Sequence, residues 1–320
     1  MKNPKYVIFD LLKIILSFLV INLHIESFVL HNDFSIIYFL GWYSVPLFIV
    51  MNFYFNSSKY LASNFSFRQY SKILYRFMFP FIFWSAIGFI IHPELLTIKY
   101  LLRQLLTGTA VDPPLYYLLT ISIISTGIYI FRNTLFKNQY LVAIVICALL
   151  LIESTGLETT LASYIPIQIQ LASIRVFEFL KYGLLGVSIP SIIRYLSTKI
   201  SASLVYLFTL VGVIIDISLK WHYQTSGLGY GGIIQFTIVG LIMISIILLK
   251  DNQIFIKQNS IISTISKYSL GIYCIHTFII EKILIELNNI ALSLAVFCIC
   301  FTISVIISKL SYGYLSKAVS

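Results

Sequence analysis

Long apolar stretches follow one another down almost the whole chain, and a bilayer is the only solvent that accommodates so many of them at once. A helix needs about 20 predominantly apolar residues to cross the hydrocarbon. The 320-residue sequence offers ten such segments, at roughly 7–30, 34–56, 71–92, 113–131, 138–154, 174–193, 202–220, 231–249, 261–281 and 289–310. Hydrophobic residues make up 59% of the chain and charged ones 11%, whereas soluble domains carry roughly 25% charged residues. Mean hydropathy is +0.93. A soluble core could not hide that much apolar surface, and no stretch is polar enough to form a separate soluble domain. The sequence predicts an all-α polytopic membrane protein, one membrane-embedded domain over residues 1–320 with about ten transmembrane helices.

Charge gives an independent reading, because short cytoplasmic loops retain Lys and Arg. With the N-terminus inside, most of the 22 basic residues fall on the inner side, among them Lys13, Lys72, Arg76, Arg132 and Lys137. Most of the 12 acidic residues fall outside or in the outer part of helices, Asp10 and Asp251 excepted. Ten helices then place both termini in the cytoplasm. The net charge of +10 is what basic inner loops facing anionic lipid would give, so membrane lipid is an expected partner and nucleic acid is not.

Lys2 and Lys5 ahead of an apolar run imitate a secretory signal, but Asp10 and Lys13 interrupt the run and no small-residue cleavage site follows. The segment reads as a retained helix. Cys147, Cys274, Cys298 and Cys300 all lie in apolar segments, which suits packing and neither a disulfide framework nor a metal site. There is no CxxC, Walker loop or HExxH motif and no convincing tandem repeat.

Within the first segment Lys13 and His24 stand eleven residues apart. Eleven helical steps turn through about 1100°, which returns both side chains to within roughly 20° of one face, about 16 Å apart along the axis. Lys13 is then expected near one membrane surface and His24 deep inside. Ionisable groups in a bilayer are costly and usually face a polar cavity, and imidazole is the side chain suited to exchange a proton near neutral pH. The duller readings are a hydrogen-bonded packing histidine and a lysine that snorkels to the inner surface.

The opening Phe9-Asp10-Leu11-Leu12-Lys13, ten residues and His24 resemble the Arg/Lys-x10-His motif of the acyltransferase 3 family of membrane acyltransferases. Four further stretches are similar to segments of that family in the same order. They are Ser44-Val45-Pro46-Leu47-Phe48; the basic, Pro, aromatic and Trp pattern from Lys72 to Trp84; Tyr182-Gly183-Leu184-Leu185-Gly186; and Ser269-Leu270-Gly271-Ile272-Tyr273-Cys274-Ile275-His276. The likeness spans nearly the whole chain. Three positions depart from the usual pattern: Lys13 replaces the commoner Arg, Met51-Asn52 a Ser-Gly pair, and Tyr116-Tyr117 a Trp-Phe pair.

The resemblance implies transfer of an acyl group, usually acetyl, from cytoplasmic acyl-CoA (acetyl-CoA as the expected donor substrate) to a hydroxyl of a surface glycan or lipid-linked sugar. It implies a bacterial plasma membrane as the location and no permanently bound cofactor. On that reading His24 is base or transient acyl carrier, and Asp10 orients Lys13 at i,i+3 spacing. Lys13, Lys72 and Arg76 hold the coenzyme A phosphates. Lys72 and Arg76 read equally well as positive-inside anchors. His276 either contacts the acceptor or makes a structural hydrogen bond.

Arg175, Glu178 and Lys181 recur every three residues down the sixth segment, as a self-neutralising ladder or as the lining of an acceptor path, with Glu178 the candidate contact. Asp216 and Glu26 are expected near the outer ends of helices, solvated. His31 repeats the His24 face seven residues on, if the helix extends that far. Gly183 and Gly186 point to close helix packing. Trp221, Tyr223 and Tyr230, near Gly227, Gly229, Gly231 and Gly232, are candidate acceptor contacts in an outer loop. Two other classes remain open at this level: a transporter or flippase for sugars, and a non-catalytic component of a glycan-export complex.

Overall fold

The computed structural model describes residues 7–29, 35–111, 113–157, 160, 167–196, 198–223, 232–251, 260–282, 289–310 and 318–319. His31, Tyr230, Gly227, Gly229 and Gly231 lie outside them, as do Lys2 and Lys5. The described residues contain helices and no strand. In chain order the α-helices are α1 (Val7–Val29), α2 (Ile36–Gly41), α3 (Ser44–Tyr60), α4 (Phe67–Ile91), α5 (Ile98–Thr107), α6 (Tyr116–Leu135), α7 (Gln139–Ser154), α8 (Ile167–Leu196), α9 (Ala202–Tyr223), α10 (Ile233–Asp251), α11 (Ser260–Lys267), α12 (Ser269–Ile280) and α13 (Asn289–Leu310).

Among the described residues seven stretches are long and apolar enough to cross a membrane: Val7–Ser27, Ile36–Tyr60, Phe67–Ile91, Tyr116–Leu135, Ile174–Leu196, Ala202–His222 and Ile290–Leu310. Tyr140–Ser154, Ile233–Leu249 and Ser269–Ile280 are shorter apolar helices. The second expected segment is broken at Trp42–Tyr43, and Pro46 supplies the cause: its ring crowds the carbonyl four residues back, that of Trp42. The third starts at Phe67, earlier than hydropathy suggests. Ser66 and Gln69 form a reciprocal capping box there, so a polar first turn belongs to the helix. The helix α5, absent from the sequence expectation, is too short to span. Its Leu101, Leu102, Leu105 and Leu106 are exposed, while buried Gln104 donates to Ser85 Oγ at 2.8 Å and accepts from the Ala110 and Val111 amides. Exposed leucines beside Lys99 and Arg103 are the pattern of a helix lying in the membrane interface.

By their contacts the residues divide into two units. The first comprises Met1–Phe48, Ile193–Gly229 and Thr237–Ser320. In it α1 packs against α2, α11, α12 and α13, α12 against α13, and α2 against α9. A Cβ on Gly271 of α12 would meet Ser304 Oγ at 2.5 Å and Val319 Cβ at 2.8 Å. The Gly271 amide donates to the Val319 carbonyl at 3.2 Å, which satisfies an otherwise orphaned donor in the first turn of α12.

The second unit comprises Ile49–Ile192 and Tyr230–Phe236. Its α4 and α6 run antiparallel: Tyr70 meets Thr126 hydroxyl to hydroxyl at 2.5 Å, and Arg132 Nη2 donates to the Phe65 carbonyl at 3.0 Å. The Arg132 guanidinium lies 4.5 Å from the centre of the Tyr129 ring. Glycine in α8 permits close approach, since a Cβ on Gly186 would stand 2.5 Å from the Val50 carbonyl oxygen and one on Gly183 would stand 2.8 Å from Ile124 Cγ2.

Candidate active site

Helix α1 carries Asp10, Lys13 and His24. Lys13 Nζ lies 3.5 Å from Asp10 Oδ1, with side chains 31% and 15% exposed. The i,i+3 spacing thus brings the pair together as helical geometry requires. His24 is half-buried, and its ring lies against that of His276 on α12, with centroids 5.0 Å apart and planes tilted by 43°. The imidazole therefore faces the protein side of α1, where α12 packs.

His276 is fully buried, at 0% exposure. Its Nδ1 is 2.6 Å from the Tyr273 carbonyl oxygen; a carbonyl only accepts, so Nδ1 carries the hydrogen and Nε2 the lone pair. Nε2 is buried with no hydrogen-bond partner among the described residues. The Tyr273 ring lies 5.7 Å from His276 and edge-on to Phe48 at 6.4 Å, fixing the imidazole from a second side. One half-turn before His24, buried Asn22 donates to Ser293 Oγ on α13 at 3.2 Å, and its Oδ1 has no partner among the described residues.

The C-terminal end of α1 is braced. Leu23, Tyr38 and Phe39 form a buried cluster with Trp42 and Ile217 packed on it. Glu26, 1% exposed, accepts from the Ser35 amide at 2.8 Å and the Ser35 hydroxyl at 2.5 Å. That hydroxyl caps α2 by accepting from the Tyr38 amide. Asp216 accepts from the Tyr43 hydroxyl and pairs with Lys220 at 2.7 Å, and Lys220 Nζ lies 5.0 Å from the Tyr43 ring centre. Glu26 and Asp216 are thus buried and bonded, contrary to their expected solvation. Nearness to a helix end does not expose a carboxylate when a neighbouring helix covers that end. Trp221, on the next position of α9, is 53% exposed.

The remaining predicted residues belong to the second unit. Lys72 and Arg76 are exposed on α4 and hold no ion pair among the described residues. On α8 the expected ladder divides: Arg175 Nη1 donates to Glu178 Oε2 at 2.8 Å, but Lys181 reaches Glu153 of α7, both oxygens lying at 2.5 and 2.6 Å. Lys181 is 1% exposed and lies 5.2 Å from the Tyr182 ring centre. Arg175 covers the Tyr116 ring at 5.5 Å, and Tyr116 stacks on Phe179. Glu153 and Glu178 border one small cavity with Leu149, Ile152 and Phe177.

Tyr43, Glu153 and Lys220 belong to no motif in the sequence. Tyr43 and Asp216 are 173 residues apart, and no local pattern joins them. The four cysteines are free, and among the described residues no group of three or more His, Cys, Asp or Glu could hold a metal ion.

These helices and their buried charges define a multi-pass membrane protein, with an imidazole pair inside one of its helix clusters. The chain belongs to the acyltransferase 3 family: the family model, described as an acyltransferase domain, matches residues 6–309. That membership makes it a membrane acyltransferase. No curated protein and no solved structure matches the chain significantly.

Proposed function

We propose that the protein moves an acyl group, acetyl in the first instance, from cytoplasmic acyl-CoA to a hydroxyl of a surface polysaccharide or lipid-linked sugar precursor, through about ten membrane-crossing helices with both termini in the cytoplasm of a bacterial cell. His24 is the base. It takes the proton of the acceptor hydroxyl as that oxygen attacks the thioester carbonyl; the C–S bond breaks, and the imidazolium returns the proton to the departing thiolate. Asp10 orients Lys13, and Lys13, Lys72 and Arg76 supply positive charge to coenzyme A phosphates as charge-assisted donors. Glu178 and Trp221 are assigned to the acceptor side; His276, sealed at 0% exposure, is not.

The observation that carries this reading is the placement of His24 in a chain of this family: half-buried, on the protein side of α1, with its ring against another imidazole. A base needs a lone pair within reach of the reacting hydroxyl, and a half-buried imidazole on the protein side of the helix suits that role. The test is His24→Ala with protein level checked, read by mass spectrometry of the surface glycan. Loss of O-acyl groups at normal expression is the expected result. Unchanged acylation would remove His24 from the reaction, and a transport defect with acylation intact would favour a carrier.

A further inference from the structure

The imidazole of His276 is bound on one side and, among the described residues, unsatisfied on the other. Donation from Nδ1 to the Tyr273 carbonyl at 2.6 Å leaves Nε2 as a lone pair, and that atom is fully buried with no partner among the described residues. An unmet buried acceptor costs about 1–3 kcal/mol, so its persistence here calls for an explanation. The titratable rings of Tyr273 and His24 lie against it, at 5.7 and 5.0 Å between centroids, and of these His24 carries ring nitrogens that can donate to Nε2. Among the described residues no hydrogen bond from a His24 ring nitrogen is present, which leaves a ring N–H to be matched with that lone pair.

We propose that His276 is a positioning residue for His24. Its Nε2 lone pair accepts the N–H of the neutral His24 ring, a small ring rotation bringing the two into line. Which nitrogen of an imidazole bears the proton is set by the bond that the other makes. The Tyr273 carbonyl therefore fixes the tautomer of His276, and His276 in turn fixes that of His24. The second nitrogen of His24 is left as the lone pair on the accessible side. When His24 takes a proton there, the bond to His276 is kept and only the outer nitrogen changes state. His276 itself neither gains nor loses a proton. Being sealed at 0% exposure, it is placed to orient its neighbour, and in this role it does not touch the acceptor. The inference rests on the reading of His24 as base.

The test uses the full-length protein in native membranes, with radiolabelled acetyl-CoA as probe and free coenzyme A as product. His276→Phe keeps a ring of similar size without the lone pair. His276→Gln restores an acceptor near the position of Nε2. The expected result is a fall in kcat of about 10- to 100-fold for H276F, part of the 100- to 10,000-fold that general-base catalysis supplies, with KM for acetyl-CoA unchanged and H276Q recovering to within about tenfold of wild type. Solid-state 15N NMR of histidine-labelled protein gives a readout independent of turnover. The His24 ring, assigned by difference against H24A, shows one neutral tautomer in the wild type and a mixture in H276F.

Turnover of H276F within twofold of wild type, equal losses in H276F and H276Q, or an unchanged His24 tautomer would each overturn the proposal. If H24A itself retains full turnover, the base assignment has failed, and the tautomer comparison still decides whether the two rings are coupled. If H276F does not reach the membrane, H276Q and the wild-type spectrum decide: more than one His24 tautomer in the wild type overturns the proposal.

Discussion

The Lys181–Glu153 pair can be separated into what it contributes to stability and what it contributes to reaction. Lys181 is 1% exposed and Glu153 14%, with contacts of 2.5 and 2.6 Å to the two carboxylate oxygens. At that separation the gross attraction is roughly 6 kcal/mol for an effective dielectric of about 20. Desolvation of both ions offsets much of it, so the net value of the pair is small, whereas removing one partner strands the other. Lys181→Met is expected to cost about 3–5 kcal/mol. The double variant Lys181→Met, Glu153→Gln leaves no stranded charge and is expected to lie within about 2 kcal/mol of wild type. With each single at about 3–5 kcal/mol and the double within about 2 kcal/mol, the cycle gives a coupling of at least about 4 kcal/mol. Equilibrium unfolding of the full-length protein in mixed micelles by titration with sodium dodecyl sulfate, followed by fluorescence of its three tryptophans, measures all four proteins. A single variant within about 1 kcal/mol of wild type, or singles that simply add, would refute the argument. The same double variant also settles the role of these charges. Restored acylation makes the pair a device for inserting α8, and a stable but inactive protein makes it part of the acceptor path.

Gly186→Ala, whose Cβ would meet the Val50 carbonyl oxygen at 2.5 Å, is expected to destabilise by about 1–3 kcal/mol. Gly127→Ala, with nothing within 4 Å, is expected to be neutral or to stabilise by up to about 1 kcal/mol; the same unfolding titration checks both, and equal effects would contradict the close α8–α3 approach. Because Lys72 and Arg76 are exposed on α4, Lys72→Gln and Arg76→Gln are each expected to raise KM for acetyl-CoA several-fold, a loss of about 1 kcal/mol per charge, while kcat is kept. An unchanged KM in membrane assays would return these residues to the role of positive-inside anchors.

Interactions between near neighbours along one helix were legible as spacing. Asp10–Lys13 and Arg175–Glu178 were both anticipated, because residues three apart on a helix face each other. Lys181 shows where that logic stops: its i,i−3 neighbour Glu178 is bonded by Arg175, and the lysine side chain pairs with Glu153 on another helix. For the same reason Glu26 and Asp216 are buried where the sequence predicts solvation, since hydropathy reports position along a helix and not what covers its end. The break at Trp42 was implicit in Pro46, and α5 was passed over because ten amphipathic residues with Lys99 and Arg103 fall below the signal of a spanning segment.

By itself the sequence determined that the chain is helical and membrane-embedded, roughly where its helices run, and that Lys13 and His24 share one face of the first. Each follows from local properties: the length of an apolar run and a period of 3.6 residues. Only the tertiary structure decided that His24 meets His276, that Tyr43 binds Asp216 and that Lys181 binds Glu153. Those partners lie 252, 173 and 28 residues apart. What brings them together is helix–helix packing, governed by small residues such as Gly183, Gly186 and Gly271 and by the need of buried polar atoms for partners.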